Sequence, residues 1–404
     1  MPEDSREINY DESKVPRYTL PSALERPDGS RVRNAFEWMN FQRRYLLKIL
    51  EENLYGPIPR RPDSMRVEEL SVRENVFGGL GRRKLVRLHF EMNSGISRTL
   101  DLLVYLPKKI RGKAPVFIGL NFCGNHTATP ETDLPLPAFP FPEGEGLHEP
   151  GFQKARWQPE LLLKRGYALV TACYHQLYLD QKGGSLESIY SLFLSEKELR
   201  RRKEELPAIS AWAWGLSRIM DYIEMETELN ARQVAVTGHS RLGKTALWAG
   251  ANDERFALVI SNDSGCGGAA LSRRCFGETL GVMLSPFPHW FCCGMARYAF
   301  RSQEMPFDQH FLLSLIAPRP LYVASASEDL WADPRGEFLG LAAARDAYAL
   351  FGSEGVPGNE MPPVGEVLSG DCAYHCRPGK HDITEYDWLR YLDFADRFFQ
   401  TEQA

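Results

Sequence analysis

The chain has 404 residues, 43% of them hydrophobic and 25% charged, and a formal net charge of −5 at pH 7. This composition is ordinary for a globular protein and suits one large α/β domain with insertions. The negative charge argues against nucleic acid or an anionic membrane as a partner. Because no apolar run reaches the roughly 18 residues of a membrane-spanning helix, we expect no membrane contact. We also expect a monomer.

The N-terminus, MPEDSREINYDESKVPRYTL, is polar and acidic. It lacks the basic start and apolar core of a signal peptide. We therefore expect either a cytoplasmic protein or a secreted or periplasmic one whose signal was trimmed or never included, and the sequence leaves both alternatives open.

The eight cysteines form no CxxC pair and have no zinc-type spacing with histidine. We expect most of them to be reduced, buried residues, although one disulfide stays open. Cys372, His375 and Cys376 are a poor ligand set, so we expect no metal site. The cysteines lie at positions 123, 173, 266, 275, 292, 293, 372 and 376.

The N-terminal third begins with a proline-rich, charged segment, residues 1–33, which we expect to wrap the surface of a single domain over 34–404. Apolar residues at helical spacing predict a helix over 34–54, which Tyr55-Gly56-Pro57 ends. Polar and apolar residues alternate over 66–106, which predicts antiparallel strands.

From Ala114 onward, strand patterns alternate with helix patterns, beginning with the continuous apolar run 114–122 that is typical of a central parallel strand. This rhythm predicts an α/β fold with a mainly parallel sheet between two helical layers. The predicted strands are 114–122, 167–175, 233–240, 256–263, 320–327 and 372–376, and the predicted helices are 159–166, 211–226, 336–351 and 384–399. In such a sheet the active groups lie beyond the carboxyl ends of the strands. We therefore expect them in the segments 123–127, 176–184, 240–244, 263–278, 328–334 and 377–382.

The most informative motif lies at 233–246, QVAVTGHSRLGKTA, where a strand pattern, a turn and a helix pattern follow one another; the turn reads Gly238-His-Ser240-Arg-Leu-Gly243, a G-x-S-x-G-type motif whose second glycine comes one position later. This is the nucleophile elbow of an α/β-hydrolase. The turn exposes the hydroxyl of Ser240, and Gly238 and Gly243 have no Cβ to clash as strand and helix converge. The helix N-terminus presents free N–H groups to developing negative charge.

A histidine base must follow the last strand in this fold, after the serine and the acid. His381 in RPGKHD, directly before the final predicted helix, meets that requirement and would take the proton of Ser240. Two acids are candidates for orienting it. Asp329 follows the strand two after the elbow strand, and Asp263 ends the strand immediately after the elbow.

At this point the residues resemble a family. The segments GHSRLGKTALWA, NDSGCGGAALSRRCFGET, FPHWFC, LIAPRPLYVASASEDLWADPRGEF and RPGKHDITEYDWLRYLDFAD are similar to those of bacterial glucuronoyl esterases, carbohydrate esterase family 15. The likeness covers about residues 34–400 and includes YGPIP after the first helix. It implies an α/β-hydrolase catalytic domain that hydrolyses esters between 4-O-methyl-glucuronic acid on xylan and an alcohol of lignin, without metal or organic cofactor.

The resemblance also implies roles at the reacting centre. Ser240 would be the nucleophile and His381 the base, and Arg241 would serve the oxyanion through its backbone N–H and its guanidinium. The usual acid of the family falls at Asp263, where many members have glutamate, whereas some members use the later acid, here Asp329. Both assignments stay open.

For the sugar, the resemblance implies that Lys244 binds hydroxyls and that Glu278 and Trp331 contact the ring, with Arg274 nearby. The physical interpretation agrees, since lysine and glutamate suit a hydroxyl-rich ring and tryptophan stacks on a sugar face. Residues 173–206 depart from the family, so substrate preference is open there. The alternatives are an acetyl xylan or feruloyl esterase on the same scaffold, or an inactive carbohydrate-binding protein.

Overall fold

The computed structural model describes residues 7–203 and 205–399. The first six residues of the predicted surface segment therefore lie outside the described residues. The strands are β1 (Ser64–Val76), β2 (Gly81–Glu91), β3 (Ser97–Pro107), β4 (Ala114–Asn121), β5 (Ala168–Cys173), β6 (Leu229–His239), β7 (Leu258–Asn262), β8 (Leu321–Ala326), β9 (Val367–Ser369) and β10 (Cys372–Arg377).

The α-helices alternate with these strands from β4 onward, as the sequence rhythm predicts. They are α1 (Ala35–Glu37), α2 (Arg43–Leu50), α3 (Pro159–Lys164), α4 (Glu196–Arg202), α5 (Ala208–Met225), α6 (Arg241–Asn252), α7 (Leu280–Leu284), α8 (His310–Ser314), α9 (Pro334–Ala343), α10 (Arg345–Ala349) and α11 (Glu385–Ala395). Within the described residues, no helix combines the length and the apolar character needed to cross a membrane.

The chain divides into two compact units. The first unit comprises residues 1–57, 238–254 and 258–382, and the second comprises 58–237, 255–257 and 383–404, each as far as it is described. The single domain expected over 34–404 stays a prediction.

The second unit contains strands in the order β1-β2-β3-β5-β4-β6. β1 pairs antiparallel with β2, β2 with β3, and β3 with β5. β4 pairs parallel with both β5 and β6. Every residue of β4 and β5 is buried, as expected for parallel strands covered on both faces. The helix α11 begins with a capping box between Thr384 and Asp387, which satisfies its free N–H groups.

The first unit contains the order β7-β8-β10-β9, in which β7, β8 and β10 are parallel and buried and β9 pairs antiparallel with β10. The helix α6 lies directly against β7, since a Cβ on Gly250 would come within 2.5 Å of the Val259 side chain. This close packing fixes the helix that begins at the elbow relative to the strand that precedes Asp263.

Several predicted elements differ in detail. The helix expected over 336–351 is two helices, α9 and α10, because Ala347 N–H bonds Ala344 in a tight i→i+3 turn. His175, expected in a strand, lies in a 3-10 turn after β5. The helix expected over 34–54 contains two π-helical stretches, Trp38–Gln42 and Glu51–Tyr55. The three-residue β9 is too short and too exposed to leave a sequence pattern.

Candidate active site

The backbone turns sharply at Ser240, between the end of β6 and the start of α6, and Ser240 has φ 59°. A Cβ on Gly238 would lie 1.9 Å from the carbonyl oxygen of Leu242, and one on Gly243 would lie 3.0 Å from the Cβ of Ser264. Both glycines are therefore needed for strand and helix to approach this closely. A non-glycine residue at positive φ costs roughly 1–3 kcal/mol and recurs at functional sites. The geometry is that of the predicted nucleophile elbow.

His381 lies in the loop after β10 and is held by Asp329. Its Nδ1 is 2.5 Å from the Oδ2 of Asp329. The Asp329 side chain is 4% exposed and that of His381 is 40% exposed, so a buried carboxylate anchors a ring that solvent reaches. A histidine bonded to a carboxylate through Nδ1 keeps Nε2 for proton transfer.

Asp263 follows β7 directly and has φ 44°. Its Oδ2 is 3.7 Å from Nη2 of Arg377, and both side chains are buried. Oxygens of Asp263 and Asp329 and a ring nitrogen of His381 all lie within 4.8 Å of one another. Both predicted acids therefore lie near the histidine, and Asp329 makes the 2.5 Å hydrogen bond to Nδ1.

The same three side chains are the group with metal-ligand spacing among the described residues. A metal ion there would compete with Arg377 for Asp263 and would take the Nδ1 that Asp329 now bonds. The donor set therefore suits an acid–base group whose negative charge an arginine partly balances.

A cavity of about 320 Å³ opens at the elbow. It brings together eight of the nine predicted site residues and leaves out Arg274. The residues that line it are Ser240, Arg241, Lys244, Asp263, Ser264, Gly265, Glu278, Phe287, Trp290, Asp329, Trp331, Ala332 and His381.

The guanidinium of Arg241 rests on an aromatic platform. Its central carbon lies 4.5 Å from the ring centre of Trp290 and 5.3 Å from that of Phe287. The two rings are stacked 3.9 Å apart at 4° to each other. Cation–π contacts of this kind hold a planar cation in one orientation without consuming its N–H donors.

Lys244, one helical turn after the serine, is buried at 4% exposure, and its Nζ donates to the carbonyl of Ser264 at 2.6 Å. Burial lowers the pKa of Lys244, and the charge of Glu278 opposes that shift. Burial likewise raises the pKa of Glu278, and the charge of Lys244 opposes it. Each group is therefore desolvated in this cavity, and each favours the charged form of the other.

Arg274 lies behind the cavity wall rather than on it. Its side chain is 3% exposed, its Nε donates to Asp333 at 2.7 Å and its Nη2 donates to Glu12 at 2.5 Å. The resemblance implied that Arg274 lies near the sugar. In the structure its guanidinium is bound by Asp333 and Glu12, and Arg274 does not line the cavity. In contrast, Trp331 is 38% exposed at the cavity mouth.

Comparisons with known proteins point to one family. A family model described as glucuronyl esterase of fungi matches residues 157–352. The chain is 40% identical over 400 residues to carbohydrate esterase MZ0003 of an unknown prokaryotic organism, covering 97% of this chain and 92% of that protein. It is 43% identical to the glucuronoyl esterase of Solibacter usitatus, whose structure matches with a TM-score of 0.91 over 96% of this chain and 100% of that one.

The chain belongs to the glucuronoyl esterases of carbohydrate esterase family 15. It is also 38% identical over 163 residues to the 4-O-methyl-glucuronoyl methylesterase of Schizophyllum commune, a match that covers 38% of this chain and 40% of that protein. The predicted α/β-hydrolase fold with a mainly parallel central sheet is confirmed. The predicted enzyme class, a carboxylic ester hydrolase, is confirmed as well.

Three residues of this glucuronoyl esterase site were not among the sequence predictions. Phe287 and Trp290 lie inside the quoted segment FPHWFC, and their spacing of three residues on one side of a turn was the available signal. Glu337 is fully buried, and it accepts hydrogen bonds from Gly265 N–H in the loop after β7 at 2.9 Å and from Ser325 Oγ in β8 at 2.7 Å. A glutamate in a helix gives no sequence signal of burial.

Proposed function

We propose that this glucuronoyl esterase hydrolyses esters of 4-O-methyl-glucuronic acid, including the cross-links between glucuronoxylan and lignin. The observation that carries the proposal is a single cavity that joins Ser240 and His381 to a buried Lys244 and to Glu278. A simple acyl group such as acetate needs no such charged pair, whereas ring hydroxyls bind both a donor and an acceptor. The named activity of the fungal relative supports the same ester.

In the proposed mechanism, His381 removes the proton of Ser240 as the serine oxygen attacks the ester carbonyl at C6 of the uronic acid. The tetrahedral intermediate collapses, and the alcohol leaves with the proton from His381. Water then attacks the acyl-enzyme with the same histidine as base, and glucuronate is released. A carboxylate bonded to Nδ1 keeps the tautomer and stabilises the imidazolium.

Asp329 is the proposed triad acid. The support is its 2.5 Å hydrogen bond to His381 Nδ1 and the burial of its carboxylate. Asp263 is proposed as a second negative charge beside the imidazolium, held by Arg377. This division of roles accounts for two aspartates within 4.8 Å of one histidine.

Arg241 is proposed to stabilise the oxyanion. Its backbone N–H stands at the first position of α6, where N–H groups have no acceptor within the helix and favour a bound anion. Its guanidinium, oriented by Trp290 and Phe287, adds a charged donor at the same cavity. One such donor typically contributes about 100- to 1000-fold to kcat.

The sugar is proposed to bind through Lys244, Glu278 and Trp331. The Lys244 ammonium donates one of its three N–H groups to the carbonyl of Ser264, which leaves two for ring hydroxyls. Glu278 offers acceptors in the same cavity, where the charge of Lys244 favours its ionised form. The half-exposed indole of Trp331 supplies a flat face for the pyranose ring.

The decisive experiment compares hydrolysis of benzyl glucuronate with that of 4-nitrophenyl acetate and methyl ferulate. We expect kcat/KM for benzyl glucuronate to exceed that for methyl ferulate by about 100-fold or more, because only the glucuronate engages Lys244 and Glu278. A preference for acetate or ferulate would instead support the acetyl xylan or feruloyl alternative on this scaffold. A chain that reacts with no ester and no fluorophosphonate serine probe would have lost its nucleophile function.

A further inference from the structure

Three backbone segments of the first unit lie against one another behind the sugar side of the cavity. They are residues 9–12 near the N-terminus, 274–278 and 330–333. The N–H of Gly277 donates to the carbonyl of Asn9 at 2.8 Å, and the next N–H, of Glu278, donates to the carbonyl of Trp331 at 2.9 Å. Two consecutive amides of the middle segment thus bond one to each of its neighbours.

The contact between the middle segment and 330–331 leaves no room for a side chain at Gly277. A Cβ there would lie 2.4 Å from the carbonyl oxygen of Leu330 and 2.5 Å from that of Trp331. Gly277 also has φ +60°, a conformation that favours glycine. The segments that carry Glu278 and Trp331 are therefore in direct backbone contact, so a shift of one displaces the other.

Side chains of residues 9–12 reinforce this arrangement from outside. Glu12 binds the buried guanidinium of Arg274 at 2.5 Å, and Arg274 binds Asp333 of the third segment through Nε at 2.7 Å. Tyr10 packs edge-on against Phe276 with ring centres 6.3 Å apart. Arg274 is thus the ionic link between the N-terminal segment and the other two.

Among the described residues that line the cavity, none belongs to 9–12. Any influence of this segment on the substrate must therefore act through the residues it supports. Those residues include Glu278 and Trp331, the two sugar contacts other than Lys244.

We propose that residues Asn9–Glu12 form a specificity strap that holds Glu278 and Trp331 in position for the uronic acid ring. Tyr10 and Glu12 are positioning residues, and the proposal rests on the proposed function. The strap contributes to binding of the sugar more than to the chemistry at Ser240, because the elbow is built from another segment and Asp329, although it directly precedes Leu330, is held by its own hydrogen bond to His381.

The test is the full chain with Tyr10→Ala and Glu12→Ala together. We expect KM for benzyl glucuronate to rise about five- to tenfold with kcat within about twofold of wild type. Hydrolysis of 4-nitrophenyl acetate, which has no sugar ring, should stay within about twofold. Lys14→Ala is the matched control in the same stretch, because its ammonium is largely exposed and its 3.9 Å surface ion pair with Asp11 contributes little, so both esters should be hydrolysed as by wild type.

Equal losses on the two esters would overturn the strap as a specificity device and make it a structural support of the whole site. An unchanged KM for benzyl glucuronate would also overturn it. If the double variant fails to fold in thermal unfolding, Glu12→Gln, which keeps the shape of the half-exposed side chain but removes its charge, replaces it with the same expected direction. A wild-type enzyme without preference for glucuronate overturns the proposed function, and the strap with it, whereas a preference that the variants retain overturns the strap alone.

Discussion

The loop after β7 and the loop after β8 both bring an aspartate to His381, but they hold it in different ways. Asp263 is buried 3.7 Å from the guanidinium of Arg377, while Asp329 is bonded at 2.5 Å to the imidazole itself. A carboxylate beside an arginine has part of its charge already compensated. Whether an aspartate can orient a catalytic histidine therefore depends on the other partners of its carboxylate as much as on its position in the chain.

The largest expected effect sets the reference level for this comparison. Ser240→Ala removes the nucleophile, so we expect kcat on benzyl glucuronate to fall by about 10⁴-fold or more and fluorophosphonate labelling to disappear. Thermal unfolding should show an intact fold. A variant that retains more than about 1% of wild-type kcat would refute Ser240 as the nucleophile.

The two aspartates are then compared directly through the matched variants Asp329→Asn and Asp263→Asn. Loss of the acid that fixes the histidine tautomer costs on the order of 10⁴-fold in kcat, and we expect a loss approaching this for Asp329→Asn. For Asp263→Asn we expect about tenfold, because only a nearby charge is removed. The reverse order would make Asp263 the triad acid, and equal small losses would mean that neither orients His381 alone.

The sugar side should respond differently from both loops. Lys244→Met keeps the length of the side chain but removes all three N–H donors, one of them bonded to Ser264, and the charge that favours ionised Glu278. We expect KM for benzyl glucuronate to rise about tenfold or more, with kcat for 4-nitrophenyl acetate nearly unchanged. Unchanged kinetics on the glucuronate ester would remove Lys244 from the sugar site.

The sequence predicts the elbow and the place of His381 because both depend on residues adjacent in the chain. Gly238 and Gly243 indicate the tight turn. The order serine, acid, histidine along the chain predicts a histidine after the last strand. Which aspartate bonds the histidine was not predictable, because that contact joins residues 52 positions apart. For the same reason, the aromatic platform under Arg241 and the engagement of Arg274 by Glu12, 262 positions away, were found only in the structure.

The smallest expected effect concerns Glu337, which connects the loop after β7 to strand β8 by accepting hydrogen bonds from Gly265 and Ser325. Burial raises its pKa from 4.5 to about 7, and the charge of Asp329 adds to the shift while the hydrogen bonds oppose it. Between these pH values the folded protein holds a proton that the unfolded chain has released. The free energy of unfolding should therefore fall as pH rises through this window.

Glu337→Gln keeps the shape of the side chain but cannot ionise, so we expect it to lose this part of the pH dependence. Urea unfolding at pH 4.5 and pH 7.5 measures the free energy of unfolding of wild type and variant. Relative to wild type, we expect the variant to gain at most about 3 kcal/mol between the lower and the higher pH. Parallel pH profiles would mean that Glu337 ionises alike in the folded and unfolded chain. In that case Glu337 contributes to stability through its hydrogen bonds to Gly265 and Ser325, and not through its ionisation.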